Sequence, residues 1–292
     1  MYGMNKTMQL VHATFLSLGM ALISTSYPTI AVAGPQPYRE CLIASADVPE
    51  IGHGLLQGYL NKEDRPDSLQ LLPAPPTLGN SDHALDNTIS QRSFSLPGTP
   101  RWNLAATDAD LNFPGAAGTF SCAIGITISE EATPRLYMLL RRSLTDAGLS
   151  TYAAKSNYNR RRPFLVNKKM ICSPHDTAEL TTDPSYPSGH TAIGWAWALI
   201  LSEMVPDRSD QILARGLAFG ESRHLCNVHW YSDVVNGQLM GAASVALLHA
   251  NADFRSDFAA AKSEVSEARS RGLQPNRDCS VEAAALAQDT LR

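Results

Sequence analysis

The sequence predicts an all-α fold, a single-domain helical bundle. Three observations carry that expectation. Thr191–Val205 is apolar almost all round, as a buried core helix must be. Leu136, Leu139, Leu140 and Leu144 recur at helical spacing behind Thr133-Pro134, a helix-start pair. No hairpin dipeptide sits between alternating apolar runs, so strand signals are few.

The elements follow in chain order. Residues 1–33 read as a cleaved signal peptide: Lys6 near the start, a mostly apolar stretch from Leu10 to Ile23, and Ala31-Val32-Ala33 as a small-x-small cleavage site. Residues 34–60 are expected to hold a short helix. Residues 61–83 carry Pro66, Pro73, Pro75 and Pro76 and read as an extended loop. Helical segments are expected over 84–113. Phe120–Ile128 is apolar, and periodicity leaves strand and buried helix both open. Thr133 is the expected N-cap and Gly148 the expected C-cap of the next helix. Residues 165–187 hold the loop formers Pro174, Pro184 and Pro187. Pro206 ends the core helix, Gln211–Gly220 reads as another helix, and Val234–His249 as a further apolar one, rich in Gly and Ala. The domain is placed at 34–265 and 266–292 is set apart as a C-terminal tail; residues 252–292 are Ala-rich and charged, which suggests surface helices and a loose tail.

Composition narrows the function. Of 292 residues, 44% are hydrophobic and 18% charged, which is globular and long enough for a sizeable core. Residues 1–33 contain one Lys and no acidic residue, so the mature chain has 23 basic and 28 acidic residues. That balance gives no basic bulk for a nucleic-acid partner. No apolar run after residue 33 reaches the 18 residues of a membrane span, so none is expected in the mature chain. Cys41, Cys122, Cys172, Cys226 and Cys279 all follow the cleavage site. One or two disulfides fit an oxidising compartment, the odd count leaves a thiol over, and the spacings match no metal motif.

An acidic protein that handles anions must gather its positive charge locally. Three blocks do so. In Lys155-Ser-Asn-Tyr-Asn-Arg160-Arg161-Arg162-Pro163, Lys155 and Arg162 are seven apart and are expected on one helix face, with Pro163 stopping the helix. Arg offers a planar fork to phosphate oxygens and Lys a point charge. In Tyr186-Pro187-Ser188-Gly189-His190, Ser188 and Gly189 sit at the start of the core helix, where free N–H groups and the dipole favour an anion. His190 is placed to reach a leaving-group oxygen. In the third block, Arg223 adds a second fork, and His229 and Asp233 are i and i+4, neighbours on a helix. A carboxylate on one imidazole nitrogen leaves the other as an oriented nucleophile. Each block alone has an ordinary structural explanation: a solvated basic face, an N-cap, a surface ion pair. Together they supply cationic clamps, helix-terminal amides, a general acid and a nucleophile with its orienter. Tyr158, Phe164, Trp230 and Tyr231 stand near these blocks, as packing or as pocket walls.

The pattern Lys-x6-Arg-Pro, Pro-Ser-Gly-His and Ser-Arg-x5-His-x3-Asp resembles the type 2 phosphatidic-acid-phosphatase (PAP2) superfamily, which also includes vanadium haloperoxidases. Leu-Leu-Pro-Ala-Pro-Pro at 71–76, Phe120-Ser-Cys-Ala, Thr133-Pro-Arg-Leu-Tyr-Met-Leu-Leu-Arg-Arg and Thr145-Asp-Ala-Gly resemble, within it, the bacterial class A non-specific acid phosphatases. Coverage runs over about residues 35–262. Pro184 departs from the pattern, which has Gly before Ser-Tyr-Pro.

The resemblance implies a periplasmic, frequently homodimeric enzyme that needs no metal or other cofactor. Its substrates would be phosphate monoesters such as nucleotides, sugar phosphates and aryl phosphates, with phosphotransfer or nucleotide diphosphohydrolase action as further activities. It implies His229 as nucleophile forming a phosphohistidine, Asp233 as its orienter, and His190 as general acid then base. Lys155, Arg162, Ser188, the Gly189 amide and Arg223 would hold the phosphate oxygens. The competing readings are a vanadium-dependent haloperoxidase, a membrane lipid phosphatase, which the missing spans oppose, and a non-catalytic phosphate-binding protein.

Overall fold

The computed structural model describes residues 48–52 and 54–288. The expected signal peptide, Cys41 and most of the stretch before Glu50 lie outside the described residues. A two-stranded antiparallel ribbon comes first, β1 (Glu50–Gly52) and β2 (Leu55–Leu56). It stands where a short helix was expected, and Leu56 anchors it to the bundle by accepting from Thr145 Oγ1 at 2.7 Å.

Every other regular element is helical. Helices α1 (Ser68–Leu71), α2 (Ser81–Arg92), α3 (Pro100–Thr107) and α4 (Ser121–Ile124) are short. Asp67, Asn80 and Thr99 cap the first three through their side chains. The Pro-rich 61–83 stretch is thus a loop interrupted by α1. Phe120–Ile128 resolves into α4 and a buried turn; left-handed Gly125 ends the helix.

The bundle proper consists of α5 (Pro134–Leu149), α6 (Tyr152–Tyr158), α7 (Pro163–Asn167), α8 (Thr177–Thr182), α9 (Gly189–Met204), α10 (Ser209–Leu225), α11 (Tyr231–Leu248) and α12 (Ala252–Ser270). α9 is the axis. Ala192, Ala196, Trp197, Ala198, Ile200 and Leu201 have no exposed surface, and α5, α10 and α11 pack around it. The one polar atom of its largest side chain is satisfied, since Trp197 Nε1 donates to Leu140 O at 3.0 Å.

Small residues set the helix spacing. A Cβ on Gly237 would lie 2.5 Å from Ser188 O, and one on Gly241 2.5 Å from Ala192 O, so α11 meets the backbone of α9 and of the residue that opens it. Gly237→Ala is therefore expected to lower the unfolding free energy by about 1–3 kcal/mol, because backbone rather than a flexible side chain must move. Urea denaturation monitored by tryptophan fluorescence checks this; an unchanged midpoint contradicts the close approach.

Two expected caps are corrected. Pro134 opens α5 as expected, but the Thr133 hydroxyl accepts from Ser129 N instead of capping the helix. The first-turn amides of Arg135 and Leu136 donate to Glu264 of α12, at 3.2 and 3.0 Å. A carboxylate suits that position at the positive end of the helix dipole. Gly148 lies inside α5, where its missing Cβ admits Ile193.

Two helices occupy most of the charged, Ala-rich stretch from 252 onward, as the composition suggested. α12 continues to Ser270, and α13 (Cys279–Leu286) packs on α3. Cys279 is bonded to Cys122. Glu282 approaches Arg215 at 3.5 Å and Arg277 at 3.6 Å. Among the described residues, no helix is long and apolar enough to cross a membrane.

Candidate active site

The residues of the three sequence blocks meet at one end of α9. Ser188 is its N-cap: Ser188 Oγ accepts from Thr191 N at 3.2 Å, and Ser188 N donates to Asp233 O at 3.0 Å. Tyr186, two residues earlier, donates its hydroxyl to Pro73 O at 2.7 Å, which ties the Pro-rich loop down over this turn. Gly189 begins the helix and lines a cavity of about 290 Å³ together with Lys155, Asp183, His190 and His229. A larger cavity of about 740 Å³, under α13, contains none of the expected site residues.

Lys155 and Arg162 do not share a helix face. α6 ends at Tyr158 because Asn159 adopts a left-handed conformation, φ 44°. Pro163 starts α7 rather than stopping a helix, and it steers Arg162 before it into extended backbone. The two cations converge through this break. Lys155 Nζ contacts Asp183 Oδ2 at 2.8 Å and Pro184 O; Arg162 reaches Asp183 Oδ2 at 2.5 Å and Asp183 O at 2.8 Å. Asp183 thus occupies one donor of Lys155 and two of Arg162. Pro184, the departure from the family pattern, contributes here only its carbonyl.

His229 also lies outside a helix. It sits in the turn between α10 and α11, with Asn227 left-handed at φ 60° and Cys226 bonded to Cys172. His229 N donates to Arg223 O at 3.2 Å. Asp233 is in the first turn of α11, and its Oδ2 accepts from Trp230 N at 2.8 Å and from His229 Nδ1 at 3.3 Å. The i, i+4 pair is thus made by a capping carboxylate reaching back across the helix start.

The partners fix the tautomer of His229. Arg162 Nη1 stands 2.9 Å from His229 Nε2, and a guanidinium only donates. Nε2 must therefore carry the lone pair and Nδ1 the proton. Burial holds the imidazole well below its ordinary range, reinforced by Arg162, Lys155 and Arg223, which favours its neutral form. Burial and then Arg223 do the same to His190. His190 Nε2 is 2.9 Å from Ala109 O. A carbonyl only accepts, so Nε2 is protonated and Nδ1 is left to exchange a proton.

The cations remain charged despite burial. Burial lowers Lys155 to about 8 and Arg223 to about 10, both above any acidic working range. Arg223 is 1% exposed, and its Nε and Nη1 have no hydrogen-bond partner among the described residues. Such buried, unused charged donors are costly unless an anion takes them. Three cations, two imidazoles and a helix N-terminus together offer the charge and donors that a tetrahedral anion needs.

The scan against family models matches residues 136–257 to the PAP2 superfamily. An acid phosphatase from Zymomonas mobilis is 40% identical over 210 residues, 72% of this chain and 80% of the relative. A non-specific acid phosphatase from Providencia stuartii is 42% identical over 207 residues, 70% of this chain and 84% of its own. The chain belongs to the non-specific acid phosphatases of the PAP2 superfamily. One from Salmonella typhimurium, 37% identical over 215 residues, covers 73% of this chain and 85% of its own. The enzyme is an acid phosphatase, and the matched region runs from α5 into α12.

Some residues around the phosphatase site were not legible as such. Arg160, inside the basic run, is half-buried and paired with Asp86 and Asp233. Asp183 joins the clamps. The cavity walls include Phe113 and Tyr152, not the aromatics closest in sequence to the blocks. Tyr158 packs on Tyr186, Phe164 lies in a separate apolar cluster, and Trp230 Nε1 donates to Arg161 O at 2.9 Å.

Proposed function

We propose that this acid phosphatase is an exported periplasmic enzyme that hydrolyses phosphate monoesters of broad specificity through a phosphohistidine on His229. The observation that carries the reading is the His229 tautomer: a lone pair on Nε2 beside Arg162 and a proton on Nδ1 toward Asp233. His229 Nε2 attacks phosphorus, and the bond to the ester oxygen breaks as His190 gives that oxygen a proton. His190 then takes a proton from water, which attacks the phosphohistidine and releases inorganic phosphate. Lys155, Arg162, Arg223, Ser188 and the Gly189 amide hold the equatorial oxygens, where phosphoryl transfer needs charge and positioning most. Bound phosphate also offsets Arg223, Arg162 and Lys155, which add to burial in disfavouring the charged form of His190, so the substrate itself helps to load the acid.

Export is supported by the 1–33 signal sequence and by two disulfides, Cys122–Cys279 and Cys172–Cys226. The mature enzyme begins at Gly34. The relatives named non-specific acid phosphatases support breadth.

The protein's own cations do the work that a metal does in other phosphatases. Purified enzyme is therefore expected to hydrolyse p-nitrophenyl phosphate in acid with the same rate before and after EDTA. Loss of most activity on chelation, or vanadate-dependent halide oxidation without ester hydrolysis, overturns the reading.

A further inference from the structure

We infer that Arg160, held between Asp86 and Asp233, is a positioning residue for phosphoryl transfer, keeping the Asp233 carboxylate charged and turned toward His229. The inference rests on the reading of His229 as nucleophile.

Asp233 has no exposed surface, and both its oxygens are in use. Oδ2 takes Trp230 N and His229 Nδ1; Oδ1 takes Arg160 Nη1 at 2.5 Å. The other arm of Arg160 donates to Asp86 Oδ2 at 2.7 Å. Ser232 closes the ring: its hydroxyl accepts from Arg160 at 2.8 Å and donates to Asp86 Oδ2 at 2.7 Å, and its amide donates to Asp86 Oδ1 at 2.8 Å. Asp86 is 1% exposed and comes from α2, outside the matched family region. The Trp230 and Tyr186 rings lie 5.5 and 5.9 Å from the guanidinium. Buried contacts thus determine where this planar fork points, which a flexible ammonium cannot reproduce.

The charge balance gives the arrangement its purpose. Burial pushes the Asp233 carboxyl up to about 6, and Asp86 adds to the push; Arg160 is the largest influence in the other direction, so it sets how far into the acid range the carboxylate stays charged. Lys155 and Arg162 face Asp233 from the cavity side, His229 from its own turn, and Tyr186 from the loop before α9. Without Arg160, two buried carboxylates share the space with no cation between them, and one protonates. A protonated Asp233 no longer favours the charge that develops on His229 as it attacks. The nucleophilic pair is then disabled at a higher pH than in the native enzyme.

The test is the pH profile of kcat/KM for an aryl phosphate with wild type, Arg160→Met, Arg160→Lys and Asp233→Asn. In Arg160→Met the acidic limb is expected to move up by about one pH unit or more, and kcat to fall about 10- to 100-fold with KM little changed, as on losing the partner that orients a reacting group. Arg160→Lys restores part of the limb. Arg160→Met added to Asp233→Asn moves the limb no further. Should Arg160→Met fold poorly, Arg160→Met/Asp86→Asn removes the stranded carboxylate. That double variant keeps the kcat loss, because Asp233 has still lost its partner. A wild-type limb in folded Arg160→Met, or a wild-type kcat in the double variant, overturns the inference. Full activity in His229→Ala would instead overturn the parent reading, so the two failures are distinguishable.

Discussion

His229→Ala is expected to lose at least about 10⁴-fold in kcat/KM toward p-nitrophenyl phosphate, the scale seen when a residue acting as nucleophile is removed from a coupled set. The size follows from what the substitution deletes. Nε2 is the only atom in the cavity whose lone pair is held by a donor-only partner on one side while the ring's opposite nitrogen faces a carboxylate. Nothing nearby replaces it: His190 commits Nε2 to Ala109 O and stands at the start of α9. The clamps survive the change. Lys155 and Arg223 do not depend on His229, and Arg162 keeps Asp183 and Val228 O. Inorganic phosphate should therefore still raise the melting temperature of His229→Ala, within a few-fold of the wild-type concentration dependence. Asp233→Asn should lose less, because orientation and charge are weakened while the attacking nitrogen remains.

His190→Asn separates the two chemical roles at the site. A positioned general acid contributes about 10²- to 10⁴-fold, but only where the leaving oxygen needs a proton. p-Nitrophenolate is a stable anion and leaves with little help; an alkoxide from a sugar or glycerol phosphate does not. The variant is expected to lose activity on alkyl phosphates by at least about tenfold more than on p-nitrophenyl phosphate. Steady-state kinetics on both substrate classes reads this directly. Equal losses on the two contradict an acid role for His190 and leave it a structural member of the α9 start. Asn is the appropriate replacement, since its amide NH₂ can still donate to Ala109 O.

How much of this was legible in the sequence depended on distance along the chain. Pro-Ser-Gly-His was readable because an N-cap and the first turn of a helix are local, and Ser188 caps α9 as expected. The His229–Asp233 spacing pointed to the right pair for the wrong reason. Four residues can bring an imidazole to a carboxylate on a helix, or, as here, across its first turn. Lys155 and Arg162 were likewise paired correctly, but left-handed Asn159 and the extended residue before Pro163 bring them together, not a shared face.

Arg160 was hidden by its neighbours. In a run of three arginines nothing local marks the one that pairs with Asp233 and Asp86, 73 and 74 residues away. The same holds for Glu264, which serves α5 from 128 and 129 residues downstream, and for Phe113 in the cavity wall. The cysteine pairing needed the fold as well. Spacing alone left it open, and the bond from Cys122 to Cys279 forms because α13 returns to pack beside α3.

The central claim is a covalent intermediate on His229, and trapping it is the most direct test. Enzyme mixed with phosphorus-labelled substrate and quenched in alkali within milliseconds should carry one label. Peptide mapping should place that label at His229, and acid but not base should remove it, as for a phosphoramidate. Transfer from a chirally labelled ester to an acceptor alcohol should proceed with retention at phosphorus, since two in-line displacements each invert it. Absence of label together with inversion would mean that water or the alcohol attacks the ester directly, contradicting the assignment of His229 as nucleophile.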